Sequence, residues 1–303
     1  MTNTDYGHDL LFGAFITPVV RPIMHAVELA QVADRAGLDL VTFQDHPYQP
    51  TFHDAWTLLS YVAASTRRIH VSGNVLNLPL RQPAVIARSA TSLDLLSSGR
   101  FELGIGAGGH WDAIESMGGR RLKPAQSIDA LEEAIQIIRE IWAAEKPGVV
   151  HVDGTYYQVK GVRRGPRPAH NIGIWIGAHR PKILHMLGRV ADGWLPTMSY
   201  FSGRLAGLEE LNNYIDEGAA SVGRDPSDIR RLLNITGQFT RSGHGALLKG
   251  TPQQWAEQLA ELTLTYGITG FILMEDDARA IELFAAEVAP ATRELVMTER
   301  ARR

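Results

Sequence analysis

Short apolar runs alternate with longer stretches whose apolar residues recur every three or four positions, and the alternation persists along nearly the whole 303-residue chain. Short apolar runs bounded by turn residues read as buried strands, and the 3.6-residue period reads as helices. Strands are predicted over 11–18 (LFGAFITP), 38–45 (LDLVTFQD), 68–76 (RIHVSGNVL) and 100–106 (RFELGIG). Four more follow over 172–178 (IGIWIGA), 192–197 (DGWLPT), 229–239 (IRRLLNITGQF) and 268–274 (ITGFILM). A helical pattern follows each of them. The first has Pro22 in its opening turn and Gly37 placed to end it; the second has Asp54 as N-cap. In the fourth, from about Ser127, Ile128, Leu131, Ile135, Ile138 and Trp142 form one apolar face. A helix is predicted over 205–223, and another starts from Thr251 as cap with Pro252 behind it.

Eight strand-plus-helix units are what a single-domain (β/α)8 TIM barrel spanning residues 1–303 requires. An open doubly wound sheet is the alternative. Residues 146–171 break the alternation: VVHVDGTYYQV reads as a small hairpin and RRGPRPAH as a loop, so this segment is predicted to be an insertion on the barrel. A glycine-rich loop is predicted over 241–250.

Composition narrows the function. The chain is 45% hydrophobic and 21% charged with net charge −3, an ordinary globular balance that gives no reason to expect nucleic acid. It has no cysteine, so disulfides, thiolate metal sites and thiol nucleophiles are excluded. The polar start MTNTDYGHDL lacks a signal-peptide core and no apolar run reaches membrane length, so a cytoplasmic protein with no membrane partner is expected.

Gly104, Gly106 and Gly109 satisfy G-x-G-x-x-G, the dinucleotide fingerprint, but the context fails. The motif follows a fourth strand rather than a first, and Asp129, the acid at the expected distance, lies in a helix rather than at a strand end. On a barrel the same loop lies at the carboxyl end of a strand, where active sites are built. Glycines there let backbone N–H groups approach an anion, and a helix N-terminus adds its dipole. The loops after strands four and five, which carry Gly106 to Gly109 and Gly177-Ala178-His179, could together grip one phosphate; each alone is equally a tight turn. The remaining polar strand ends are Thr17, Asp45-His46, Asn74 to Asn77 with Arg81, His110, Trp111 and Thr197. His46 is the candidate acid or base, because imidazole titrates near neutrality. No metal constellation and no G-x-S-x-G elbow accompanies it.

The segments AFITP, FQDHP, NVLNLPLRQPAVIARSATSLDLLSSGRFELGIGAG, IWIGAHRP, GRVADGWLP and GTPQQWAEQL…YGITGFIL resemble the bacterial-luciferase-like family of flavin- and F420-dependent oxidoreductases. The resemblance runs from about residue 11 to 290. It implies a barrel binding the deazaflavin F420, or alternatively FMN, at the carboxyl ends of its strands. It places Gly106, Ala107, Gly108 and Gly109 with Gly177, Ala178 and His179 around the cofactor phosphate. Asn74 and Val75 fall where relatives carry a bulge with a non-proline cis peptide behind the ring, with Asn77 just beyond. Asp45-His46 matches the Asp-His pair of F420-dependent members, in which the histidine handles a proton; here Asp45 is expected to set its orientation. Relatives that oxidise sugar phosphates carry a glutamate where this chain has Gly109, so another alcohol dehydrogenase or an ene or imine reductase is implied. Tyr48, Trp56, Trp111 and Trp194 are candidates to line the pocket, and Lys160, Arg163, Arg164 and Arg167 to attract an anionic cofactor tail. The alternatives are an FMN-dependent two-component monooxygenase, which needs a separate reductase, and a non-catalytic flavin-binding protein. A homodimer acting on a small-molecule substrate is expected.

Overall fold

The computed structural model describes residues 5–201, 206–243 and 246–303. The first half runs β1 (Leu11–Ile16), α1 (His25–Ala36), β2 (Leu40–Phe43), α2 (Ala55–Ser65), β3 (His70–Gly73), β4 (Leu76–Asn77), α3 (Pro83–Leu96) and β5 (Phe101–Gly106). Next come α4 (Trp111–Ser116), α5 (Pro124–Trp142), β6 (Val149–Asp153), β7 (Gln158–Arg163), β8 (Ile174–Ile176), α6 (Pro181–Val190) and β9 (Gly193–Trp194). The chain finishes with α7 (Ala206–Ala220), β10 (Arg230–Ile235), β11 (Gln238–Phe239), β12 (Lys249–Gly250), α8 (Pro252–Tyr266), β13 (Gly270–Met274), α9 (Ala278–Leu283) and α10 (Ala289–Arg302).

The order β3-β2-β1-β13-β10-β9-β8-β5, closed by a β3–β5 pairing, makes a parallel barrel of eight staves, with β4 prolonging the third stave along β5. Partners in register share a face, so the ladders fix what points inward. Phe15, Leu40, Trp175, Leu195, Leu232 and Ile272 form the apolar filling. Small residues sit opposite large ones: Gly13 pairs with Leu40, Gly193 with Trp175 and Gly270 with Leu232. The outward faces of the staves join the helices in a larger core containing Phe12, Val71, Leu76, Phe101, Leu103 and Ile174.

Local signals act where the sequence puts them. Asp54 caps α2 by accepting the Thr57 N–H, Thr251 and Gln254 form a capping box on α8, and α1 ends at Gly37 with φ +97°. The inner face of α5 is wider than the predicted stripe, because Ala130, Ala134, Ile137 and Ile141 are also buried. Several elements differ from expectation: α1 starts at His25, so Pro22 precedes it rather than standing in its opening turn. The short helix α4 stands directly behind the Gly106–Gly109 loop. The strand predicted over 229–239 stops at Ile235, and Gln238–Phe239 pairs instead with Lys249–Gly250 in a separate two-stranded ladder. Leu205, the predicted start of α7, and residues 244–245 of the predicted loop lie outside the described residues.

The insertion is an antiparallel β6–β7 hairpin separate from the barrel sheet. Val150 and Val159 are its buried contacts with the core. The Glu133 carboxylate on α5 accepts N–H bonds from Thr155, Tyr156 and Tyr157 in its turn. Among the described residues no helix is long and apolar enough to cross a membrane.

Candidate active site

The third stave is interrupted at Asn74-Val75, a non-proline cis peptide. Before the break Val71 pairs with Phe101 and Ser72 with Glu102; after it Leu76 pairs with Ile105 and Asn77 with Gly106. The third stave therefore carries one residue more than the fourth over this span. A one-residue slip moves every later side chain to the opposite face. Leu76 thus joins Val71 on the outward face, and Asn77 joins Ser72 on the inward face. The Val75 side chain lies against the backbones of two inward glycines: a Cβ on Gly106 would be 2.6 Å, and one on Gly177 3.2 Å, from its methyl groups. Gly106 and Gly177 make room for this bulge.

Around the bulge the interior is polar but uncharged. Asn74 Nδ2 donates to Asn234 Oδ1 at 2.7 Å, and Asn234 Nδ2 donates back to Asn74 Oδ1 at 3.1 Å. Asn74 also donates to the Thr42 hydroxyl and Asn234 to that of Thr197. Asn77 is buried, its N–H donates to Asp45 Oδ2 at 2.9 Å, and its side-chain Oδ1 has no partner.

Asp45 is 1% exposed. Its oxygens accept from Arg81 Nε at 3.0 Å, from Arg81 Nη2 at 2.9 Å and from the Asn77 N–H. Asp45, expected to set the orientation of His46, spends its hydrogen bonds on Arg81 and the Asn77 N–H and so ties the loop after β2 to the extension of the third stave. His46 follows, half-buried and held by rings. It stacks on Tyr48 with centroids 5.4 Å apart at 16°, and meets His110 edge-on at 5.3 Å and 76°. Tyr48 and His110 close the triangle at 5.9 Å. Burial depresses the His46 pKa and the His110 ring beside it adds to the effect, against the opposing pull of Asp45. Burial also raises the Tyr48 phenol. At neutral pH His46 consequently offers an unprotonated ring nitrogen and Tyr48 an O–H donor.

In the loop after β5, Ala107 is half-buried against the core, and Gly108 has φ +95° with Pro79 and Trp111 packed where a side chain would stand. Gly109 faces open space, with nothing within 4 Å of a hypothetical Cβ. After β8, the buried Ala178 offers its carbonyl to the Trp194 indole N–H at 2.9 Å, and the exposed His179 packs on Tyr200 at 4.3 Å. Trp194 is fully buried, and Trp56 packs against Phe101 and Arg81; both belong to the core rather than the mouth. Of the basic residues in the insertion, Arg164 is paired with Glu140 near the end of α5 and Arg167 lies beside Trp142 and His170, toward the amino end of the barrel. Asp129 is paired with Lys182, consistent with its failure as a ribose ligand. Asn234 escaped the sequence reading, because in RRLLNIT it looks like an interior position of an apolar strand and its partner lies 160 residues away.

A closed (β/α)8 barrel with a bulged third stave, glycine loops after staves four and five and an imidazole at the mouth defines the candidate site. The sequence model of the luciferase-like monooxygenase family matches residues 10–242, and the chain belongs to that family. It is 32% identical over 218 residues to the F420-dependent glucose-6-phosphate dehydrogenase of Microbacterium testaceum (strain StLB037), covering 69% of this chain and spanning 62% of that protein's length. Among solved structures it resembles an F420-dependent secondary alcohol dehydrogenase in complex with an F420–acetone adduct, with TM-score 0.79 and 19% identity over 94% of this chain and 99% of that one. It likewise resembles the oxygenating constituent of 3,6-diketocamphane monooxygenase of Pseudomonas putida in complex with FMN, with TM-score 0.75 and 19% identity over 93% and 98% of the two chains.

Proposed function

We propose that the protein is an F420-dependent oxidoreductase that transfers hydride between the deazaflavin and a small organic substrate, as an alcohol dehydrogenase or an ene or imine reductase. The observation that carries the reading is the seam between two loops at the barrel mouth. Asp45 binds Asn77 and Arg81, which ties the loop carrying a neutral His46 to the strand that follows the Val75 bulge. The residues present fit a flavin-type ring: the amides and hydroxyls of Thr42, Asn74, Thr197 and Asn234, with the unpartnered Asn77 Oδ1, suit a neutral ring edge carrying C=O and N–H groups. Val75 would back the ring, and the Gly108-Gly109 and Gly177 to His179 loops would hold the phosphate. Bound there, the deazaflavin supplies a hydride acceptor or donor that reacts poorly with oxygen. His46 takes the hydroxyl proton of an alcohol at its unprotonated ring nitrogen, or returns it when a carbonyl is reduced. Tyr48 donates to the substrate oxygen and covers the His46 ring. The bulge, the glycine loops and the ring cluster orient the reactants and exclude water.

Fluorescence titration of the purified protein with oxidised F420 and, separately, with FMN tests the assignment. Tight F420 binding with weak FMN binding is expected; preference for FMN would make oxygenation with a separate reductase the better reading. We also infer a homodimer through α2 and α3. Their outer faces bring together Thr57, Ser60, Tyr61 and Ala64 with Val85, Ser92, Leu95 and Leu96, all exposed and uncharged. Sedimentation equilibrium at the mass of two chains is the expected result.

A further inference from the structure

We propose that His110 is the proton-relay partner of His46, carrying to solvent the proton that His46 removes from the substrate. The chemistry rests on the hydride-transfer reading above, whereas the geometry stands on the ring cluster alone. Three ionisable side chains surround His46: Asp45 preceding it, Tyr48 on its face and His110 at its edge. Asp45 is 1% exposed and its oxygens are engaged by Arg81 and the Asn77 N–H, so it neither touches solvent nor has a free acceptor directed at the imidazole. Tyr48 holds its proton more tightly than an ordinary phenol and is no base at neutral pH. His110 is exposed, stands at the start of α4 and meets the His46 ring in a T-shaped contact at 5.3 Å between centroids, within the span over which a single solvent molecule can link two ring nitrogens.

For an alcohol substrate the carbinol C–H bond breaks and its electron pair leaves as hydride to the oxidised deazaflavin. The O–H bond breaks, its pair becomes the second bond of the carbonyl, and its proton moves to His46. From His46 the proton passes to His110 and then to water; for reduction the sequence reverses. His110 acts through His46 and touches no reacting atom, which makes it a positioning and relay residue. An imidazole takes a proton at one ring nitrogen and releases one from the other, which suits two such rings in series. Its place in the chain has a simple origin: Gly108 and Gly109 let the loop after β5 turn sharply, and the next side chain projects over the mouth.

The test compares wild type with His110→Gln, a change at an exposed position. Imidazole proton resonances of the cofactor-free protein, followed by NMR against pH, read the pair directly. Removing His110 should shift the His46 midpoint upward by roughly half a pH unit, the size expected for two charges about 5–6 Å apart near solvent. With F420 loaded, the variant should lose roughly 10-fold in kcat with KM changed less than twofold, and added imidazole should restore most of the loss, as for a proton-transfer group. A His46 midpoint that does not move overturns the pairing, and so the relay. A midpoint that moves while kcat stays at the wild-type value overturns the relay. Absence of F420 binding by wild type defeats the function reading and the relay together, whereas intact F420 turnover with an unshifted midpoint defeats the relay alone.

Discussion

The two ends of the barrel use polar residues in opposite ways. At the amino end carboxylates are surrounded by donors. Asp34 accepts the N–H groups of Arg67, Arg68 and Ile69, and the fully buried Asp94 accepts those of Ala169 and His170 together with His170 Nδ1 at 2.8 Å. Glu102, pointing into the barrel, accepts from Gly173 N–H and faces His170 Nε2 at 3.2 Å and His70 Nδ1 at 3.6 Å. At the carboxyl end Asp45 is saturated in the same way by Arg81 and the Asn77 N–H, but the amides and hydroxyls around the bulge are uncharged, His46, Tyr48 and His110 meet through their rings, and Asn77 Oδ1 has no partner. Saturated groups stabilise a fold; groups with spare bonding capacity are available to a ligand. The contrast agrees with the general division of barrels, stability at one end and, on the proposed function, chemistry at the other.

Substitutions at the two ends should therefore separate activity from stability. His46→Ala carries the largest expected effect: turnover should fall by roughly 100- to 10,000-fold, the range for a positioned acid–base group, with F420 affinity within a few-fold. Steady-state kinetics with a fluorescence titration checks this, and unchanged turnover would remove His46 from the mechanism. Asp94→Ala should do the reverse. It strands two backbone N–H groups and a histidine, and should cost about 3 kcal/mol in urea unfolding while F420 affinity holds.

Gly109→Ala sharpens the division inside the mouth. The added methyl meets no protein atom, so unfolding should be unchanged while F420 binding weakens roughly 10-fold if the backbone lies against the phosphate. Gly108→Ala provides the contrast, since φ +95° and Pro79 at 2.7 Å oppose a side chain; it should lower stability by about 1 kcal/mol or more.

The smallest effect is a pH dependence at the amino end. Hydrogen bonding to Glu102, reinforced by the charges of Glu102 and Asp94, raises the His170 pKa against the effect of burial. A histidine raised on folding contributes stability fully below its unfolded value of about 6.5, and the contribution disappears as pH rises through the folded value. The melting-temperature difference between wild type and His170→Gln should be greatest near pH 6 and shrink toward alkaline pH. A difference independent of pH would show that the network acts through packing alone.

The sequence conveys the barrel well because its signals are local. Apolar period, Gly37, Asp54 and Thr251 each act within one element. The mouth is legible only in part. His46 and the glycine loops stand at strand ends, where position alone marks them, and the bulge at Asn74-Val75 came from family resemblance. Long-range partners leave no trace in a single chain: Asn74 finds Asn234, and Glu102 finds His170, across 160 and 68 residues. Arg81 stood among the strand-end residues, but nothing in its surroundings revealed that it, rather than His46, would take the carboxylate of Asp45. The helix α4 was missed because six residues carry too little periodicity to register.

The extra residue in the third stave has a consequence for how this chain can change in length. Between Ser72 and Asn77 the chain holds one residue more than β5 does over the same span: deleting one would straighten the stave with Leu76 still facing out and Asn77 still facing in, but would abolish the bulge that sets Val75 against Gly106 and Gly177. The inward faces would survive such a loss, and the wall formed by Val75 would not. The turn of the β6–β7 hairpin is under no such rule, because no barrel ladder runs through it. Homologous chains that keep this site should therefore vary freely in length at the insertion while holding the length of this one strand.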